Sequence, residues 1–416
     1  MPEHHGIFTQ YDDVWLIDGV RTPFADYNGA LGQVSPIDLG IKAAREAFAR
    51  SGVPAADVGH VFAGSMAQAS FDAYMLPRHI GLYSGAPLEV PATLTQRVCG
   101  TGMELVLRAG DAIKLGQIEL GLCVGAESMT RNPVAAYTHR SGFRMGQIEF
   151  KDFLWEALLD PAASVTMGDT AENLAKKYRI TRLEVDQFAA ESFARALAAQ
   201  GDGFVAGEIA PVKTEIFALE GYNARGIRLP SKLAQVERDT HPRPSPADQL
   251  AQIKPAFGGV QTGGNSSAIV DGAAAALVAS GEYVKRGGKR ALARVLGGVA
   301  IGVPPEVMGI GPVPAIRRLL EGVGLKLEAI DRFEINEAFG AQCLAVMREL
   351  GLPRDKVNVN GGAIAIGHPL AATGVRLTLT VARELARSGT RYGIASACIG
   401  GGQGIAVLVE NPRAAR

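Results

Sequence analysis

Thr95-Gln96-Arg97-Val98-Cys99-Gly100-Thr101-Gly102 sets a cysteine between a strand-like entry and two glycines. Behind it, Glu104, Arg108, Asp111 and Lys114 fall on one helical stripe, while Met103, Val106, Leu107, Ala109 and Ile113 cover the rest. That pattern reads as a largely buried helix. Cys99 therefore stands at or just before a helix N-terminus, where unpaired backbone N–H groups and the helix dipole favour an anion. A thiol there is expected to ionise below its free pKa of about 8.5. Cysteine is also among the most buried residue types, so the stretch alone leaves both a nucleophile and a core filler open.

The surrounding chain alternates strands and helices. Val14–Val20, Val61–Gly64 and Leu120–Val124 read as strands, and residues 36–51 as a helix with Pro36 in its first turn and Gly52 beyond its end. After about Thr262 the alternation resumes, with strands at Ala273–Ser280, Ala291–Val299, Arg332–Ile335, Tyr392–Cys398 and Ile405–Val409. Helices are expected over 313–321, 337–350 and 374–388. This order argues for an α/β layered fold with mostly parallel pairing. Between about Ser128 and Thr262 the character differs. Helical patterns at 170–178 and 182–200 stand among glycines, prolines and charges, and His241-Pro242-Arg243-Pro244-Ser245-Pro246 cannot be regular structure. The stretch reads as a large functional excursion from the frame. A weak internal repeat links 102–125 after Cys99 with 374–402 after His368. Two such halves packed about a pseudo-twofold axis would bring Cys99 and His368 together.

A chain of 416 residues suggests two or three domains. Its 47% hydrophobic and 20% charged composition is globular, and Lys+Arg and Asp+Glu balance at 42 each, so nothing points to nucleic acid. Cys99, Cys123, Cys343 and Cys398 lack metal-ligand spacing and are too scattered for a disulfide scaffold. A reducing cytoplasm is the simpler expectation, with no metal and no membrane span. Met1–Asp13 is polar, carries His4 and His5, and shows no signal-peptide core.

Four further clusters stand out: Asn336-Glu337-Ala338-Phe339, Gly361–Pro369 with His368, Cys398–Gly404, and Gly264-Asn265-Ser266-Ser267. Each has an ordinary use as well. Asn336 could cap a helix, His368 could be a satisfied loop histidine, Cys398 could be core, and the serines could be turn residues. The glycine run after Cys398 is no dinucleotide fingerprint, because a strand follows it.

Together these segments resemble the thiolase family over nearly the whole chain, Val14 to Glu410. The match includes Gly125–Met129, Met167–Asn173, Lys254–Phe257 and Gly311–Ala315. The resemblance implies a thiolase fold of two duplicated α/β halves in five α-β-α-β-α layers with an inserted loop domain. The expected domains are 1–128 with about 268–290, the loop domain 129–267, and 291–416. It implies an acyltransferase that cleaves 3-ketoacyl-CoA, or condenses acyl-CoA, reversibly through a Cys99 acyl-enzyme, as in fatty-acid β-oxidation. His368 would take the thiol proton and, with a water held by Asn336, bind the thioester oxygen. The N–H groups of Cys99 and Gly400 would form a second oxyanion hole, and Cys398 would move the α-proton. Ser267 would contact pantetheine, Met167, Phe257, Met308 and Phe339 would line its tunnel, and Arg243 would meet a phosphate or the adenine. Coenzyme A and acyl-CoA would be substrates, with no permanently bound cofactor, and a homodimer or homotetramer is expected.

Thr166 stands where short-chain biosynthetic members carry histidine, Gln96 replaces a common Asn, Ala371 and Ala372 replace Gly-Ala or Gly-Ser, and Val270 replaces Asn. None removes a reacting group. A non-catalytic CoA- or lipid-binding relative, or another condensing enzyme of the same fold, is the alternative. Intact Cys99, Asn336, His368 and Cys398 speak against the first, and the Cys398 loop against the second.

Overall fold

Why the main strands and helices stack in layers follows from where their apolar side chains alternate. The computed structural model describes residues 5–66, 72–137, 139–146 and 148–414, so His4 of the polar start lies outside them. The first half comprises β1 (Ile7–Arg21), α1 (Pro36–Ser51), β2 (His60–Gly64), α2 (Leu76–Tyr83), β3 (Ala92–Leu94), α3 (Thr101–Lys114) and β4 (Leu120–Ser128). An excursion carrying α4 (Met167–Tyr178) and α5 (Arg182–Gly201) leads to β5 (Val270–Ser280). The second half comprises β6 (Ala293–Gly302), α6 (Pro312–Val323), β7 (Arg332–Ile335), α7 (Gly340–Leu350), α8 (Leu370–Ser388), β8 (Tyr392–Ile399) and β9 (Gln403–Glu410).

The strands hydrogen-bond in the order β3-β2-β4-β5-β1-β6-β9-β8-β7. The two halves mirror one another: β2, β4, β5 and β1 correspond in order to β7, β8, β9 and β6. Even the missing counterpart of β3 is present, as a single parallel bridge from Phe333 to Val357. Strands with both faces covered read as continuous apolar runs. In β9, Val407 joins the central core while Ala406 and Leu408 join the outer one. Leu39 of α1 and Ile80 of α2 cover one outer face against Leu122 and Leu277. Ile316 of α6 and Val346 of α7 cover the other against Phe333 and Ile394. Val106 of α3 and Leu377 of α8 lie between the halves, against Ala276 on one side and Val407 on the other. The result is the expected five layers, α-β-α-β-α.

Three expectations need correction. Pairing is mostly antiparallel: among these strands only β2–β3, β2–β4 and β7–β8 run parallel. The excursion returns to the end of β4 that it left, so Asp271 pairs with Ser128 and β5 runs back antiparallel. β8 and β9 are joined by a tight turn through Gly401 and Gly402, both at positive φ, which also forces antiparallel pairing. Second, the polar residues from Ile7 onward belong to β1, where a register shift between Gln10 and Val14 accommodates them beside β6. Third, α7 begins at Gly340, not at residue 337. The backbone of Asn336 donates to the Ser396 carbonyl and that of Ala338 accepts from Ser267, so these groups serve tertiary pairing.

The two central helices meet near their N-terminal ends. A Cβ on Gly374 would lie 2.2 Å from the Met103 nitrogen, and one on Gly102 would lie 2.5 Å from the Val375 nitrogen. Only glycine permits that approach. Gly374→Val is expected to cost about 3 kcal/mol, against about 1 kcal/mol for Gly389→Ala at the open end of α8. Chemical denaturation compares them, and equal losses would contradict the crossing.

Candidate active site

Val98, at φ +44°, is the residue on which the chain turns into α3. Positive φ is rare for a β-branched residue and marks local strain. The turn is held around it. The Thr101 hydroxyl accepts from the Arg97 N–H at 2.9 Å and donates to the Val98 carbonyl at 2.7 Å. Arg97 binds Glu104 at 2.9 Å and the Gln403 side chain at 3.0 Å, tying the turn to the second half. The Gln96 side-chain oxygen, Oε1, accepts from the Val98 N–H at 3.4 Å, so this departure supports the same turn. Cys99 sits in a single 3₁₀ turn that runs into α3. The backbone N–H groups of Gly400 and of Cys99 itself lie close enough to its sulfur to favour the thiolate.

The expectation that Cys99 ionises easily is not met. Burial pushes the thiol up to about 11, a Glu127 carboxylate adds to this, and the two N–H donors only partly offset it. Loss of water on burial outweighs the donors that a helix start supplies. Glu127 itself holds backbone in place. Its carboxylate accepts from the N–H of Met66 at 2.9 Å and of Ala371 at 3.0 Å, pinning the first turn of α8.

His368 stands just ahead of that turn. The Thr373 hydroxyl donates to the Pro369 carbonyl at 3.2 Å, so it accepts from His368 Nδ1–H at 2.6 Å. This assigns the tautomer and makes Nε2 an acceptor, to which the Asn336 side-chain N–H donates at 3.3 Å. Burial, aided by the charge of Arg376, lowers the imidazole pKa to about 3, so the ring is neutral and able to accept a proton. Asn336 caps no helix. Its Oδ1 is buried without a partner, an acceptor left for a small polar molecule. The loop around it is braced by Asn358, whose side chain bonds both Ile335 backbone groups at 2.8 Å and reaches Glu337 at 2.9 Å.

Cys99 and His368 line one cavity of about 430 Å³, together with Met167, Phe257, Ser267, Met308 and Phe339. Cys398 packs against Met167, Met308 and Ala338, and its thiol is driven far upward by burial and by nearby Cys99. Arg243 does not reach the cavity. It is exposed, over the ring of Phe193 at 5.5 Å and against His241 at 3.2 Å. Sequence reasoning missed Tyr27, Met129, Leu154, Trp155, Ile269 and Leu370, which also line the cavity. The apolar residues within 128–165 were the available signal. Val270 packs on Gly367, so this departure is matched by its neighbour, and the Ala371 backbone carbonyl lies where a Cβ on Gly125 would be.

Residues 14–282 match the family description "Thiolase, N-terminal domain" and residues 289–411 match "Thiolase, C-terminal domain". The chain belongs to the thiolase family. It is 41% identical over 402 residues to the mitochondrial 3-ketoacyl-CoA thiolase of Bos taurus, covering 96% of this chain and 98% of that one. It is also 41% identical over 410 residues to the β-ketoadipyl-CoA thiolase of Pseudomonas aeruginosa, covering 96% and 99%. The human mitochondrial 3-ketoacyl-CoA thiolase in complex with CoA superposes with a TM-score of 0.89 at 39% identity, covering 98% of each chain. Thiolases are acyltransferases, and among the described residues no helix is long and apolar enough to cross a membrane.

In this thiolase the resting Cys99 thiol holds its proton, and the thiolate fraction grows as pH rises toward about 11. Inactivation of the free enzyme by iodoacetamide is therefore expected to accelerate about tenfold per pH unit between pH 7 and 10. A rate already level below pH 8 would contradict this.

Proposed function

We propose that the chain cleaves 3-ketoacyl-CoA with CoA, and runs the reverse condensation, through an acyl thioester on Cys99. The observation that carries this reading is that Cys99 and His368 line one cavity, with the N–H groups of Cys99 and Gly400 close to the Cys99 sulfur. His368 Nε2 takes the Cys99 proton as sulfur attacks the keto carbon. The N–H groups of Cys99 and Gly400 then receive the oxyanion, where each such donor is worth about 10²–10³ in rate. The Cα–Cβ bond breaks, its electron pair passes to the acetyl-CoA enolate, and the Cys398 S–H protonates that carbon. Asn336 holds a water, which with protonated His368 stabilises the enolate oxygen. Incoming CoA gives its proton to the Cys398 thiolate and attacks the acyl group, and Cys99 leaves and is reprotonated by His368. Neutral His368 and protonated Cys398 at rest suit this order of events.

Ser267, Met167, Phe257, Met308 and Phe339 hold the pantetheine arm in this reading, supported by their common cavity. The domain division 1–128 with about 268–290, 129–267 and 291–416 belongs to the same proposal. So does a homodimer or homotetramer, for which exposed Val134, Tyr137, Met145 and Phe150 offer apolar surface. Four free, buried cysteines support a reducing compartment, and we propose the cytoplasm; cell fractionation tests this against the mitochondrial location named for several relatives.

Cys99→Ser is expected to reduce thiolysis below about one-thousandth of the parent rate with unchanged unfolding. Near-normal turnover by that variant would overturn the assignment. Cys398→Ala should lose exchange of the acetyl-CoA α-proton with solvent yet still form acyl-enzyme. Absence of any acyl-enzyme in that variant would contradict the division of labour between the two thiols.

A further inference from the structure

The cavity has two apolar walls of different composition. Met167, Met308, Ala338 and Phe339 group with Cys398. Met129, Leu154 and Leu370 group instead with Cys99. The first wall includes the residues proposed for pantetheine, so a chain carried on the Cys99 sulfur lies against the second. Neither Lys nor Arg lines the cavity among the described residues, and its one carboxylate is Asp152. Asp152 is fixed in place because its Oδ1 accepts from the Leu154 N–H at 2.9 Å, capping the short helix Phe153–Glu156. The nearest basic neighbour in sequence, Lys151, is engaged by Glu149 at 2.6 Å. Thr166 offers no free donor either, since its hydroxyl donates to Asp169 at 2.7 Å.

From this distribution of charge and apolar surface we infer that the acyl group handed to Cys99 is an uncharged aliphatic chain longer than acetyl. It is seated on Met129, Leu154 and Leu370, and a chain ending in a carboxylate is rejected. The inference rests on the reading of Cys99 as acyl carrier. An acetyl group leaves that wall unfilled, whereas each further methylene buried there is worth about fourfold in binding. A terminal carboxylate would lose its water beside Asp152 and gain no cation in exchange. Among relatives that share the fold, this chemistry separates fatty-acyl substrates from dicarboxylic ones.

Steady-state thiolysis of acetoacetyl-CoA, 3-ketohexanoyl-CoA, 3-ketooctanoyl-CoA and 3-ketoadipyl-CoA tests it. The third should exceed the first in kcat/KM by about tenfold or more. The 3-ketoadipyl substrate, equal to 3-ketohexanoyl in carbon number, should fall about a hundredfold below it. Acetoacetyl-CoA as the best substrate, or parity between the two six-carbon substrates, would overturn the inference while leaving Cys99 as acyl carrier. Turnover of none of the four would overturn both. Two variants check the wall through ratios that do not depend on the amount of folded enzyme. Leu154→Trp should lower the 3-ketooctanoyl to acetoacetyl ratio about tenfold, and Leu154→Ala should move the optimum to longer chains. Unchanged ratios in both variants would remove Leu154 from the acyl wall and contradict the inference.

Discussion

The backbone contact between Gly102 and Gly374 holds the rest of the structure in register. Each glycine stands near the N-terminal end of a central helix, and a Cβ on either would strike the other helix's main chain. Because the turns before those helices carry Cys99 and His368, residues 269 positions apart reach one cavity. The duplicated strand order gives the helices equivalent positions, and Glu127 fastens the second one by accepting from the Ala371 N–H. A duplicated frame thus supplies two facing helix N-termini, and the differences between the halves supply the chemistry.

Burial determines how that chemistry is set at rest. Two facing helix starts favour negative charge, yet the Cys99 thiol is pushed up to about 11 and the His368 imidazole down to about 3. Both groups are uncharged, so neither requires a counter-ion in its buried position. In the proposed mechanism, charge develops only as a proton passes from sulfur to Nε2, with the N–H groups of Gly400 and Cys99 as the oxyanion's donors.

Local signals in the sequence located the helices well. Pro36 and Gly52 bracket α1 as expected, and the Cys99 and His368 turns precede the helices whose patterns announced them. Strand direction was not legible, because it depends on where a long excursion returns. Nothing near Ser128 encodes that its antiparallel partner is Asp271. The extended backbone at Asn336–Phe339 was hidden for a similar reason: its hydrogen bonds go to Ser267 and Ser396, far away in sequence. Arg243 stands exposed over Phe193 and beside His241, outside the cavity lining. The acyl wall of Met129, Leu154 and Leu370 comes from three separated segments, and only the folded chain assembles it.

Mass spectrometry of the acid-quenched enzyme after brief mixing with acetyl-CoA tests the central claim most directly. The account predicts one acetyl group per chain, on the peptide containing Cys99, removed when CoA is added before quenching. An acetyl group on the Cys398 peptide, or no acetylated peptide at all, would contradict it.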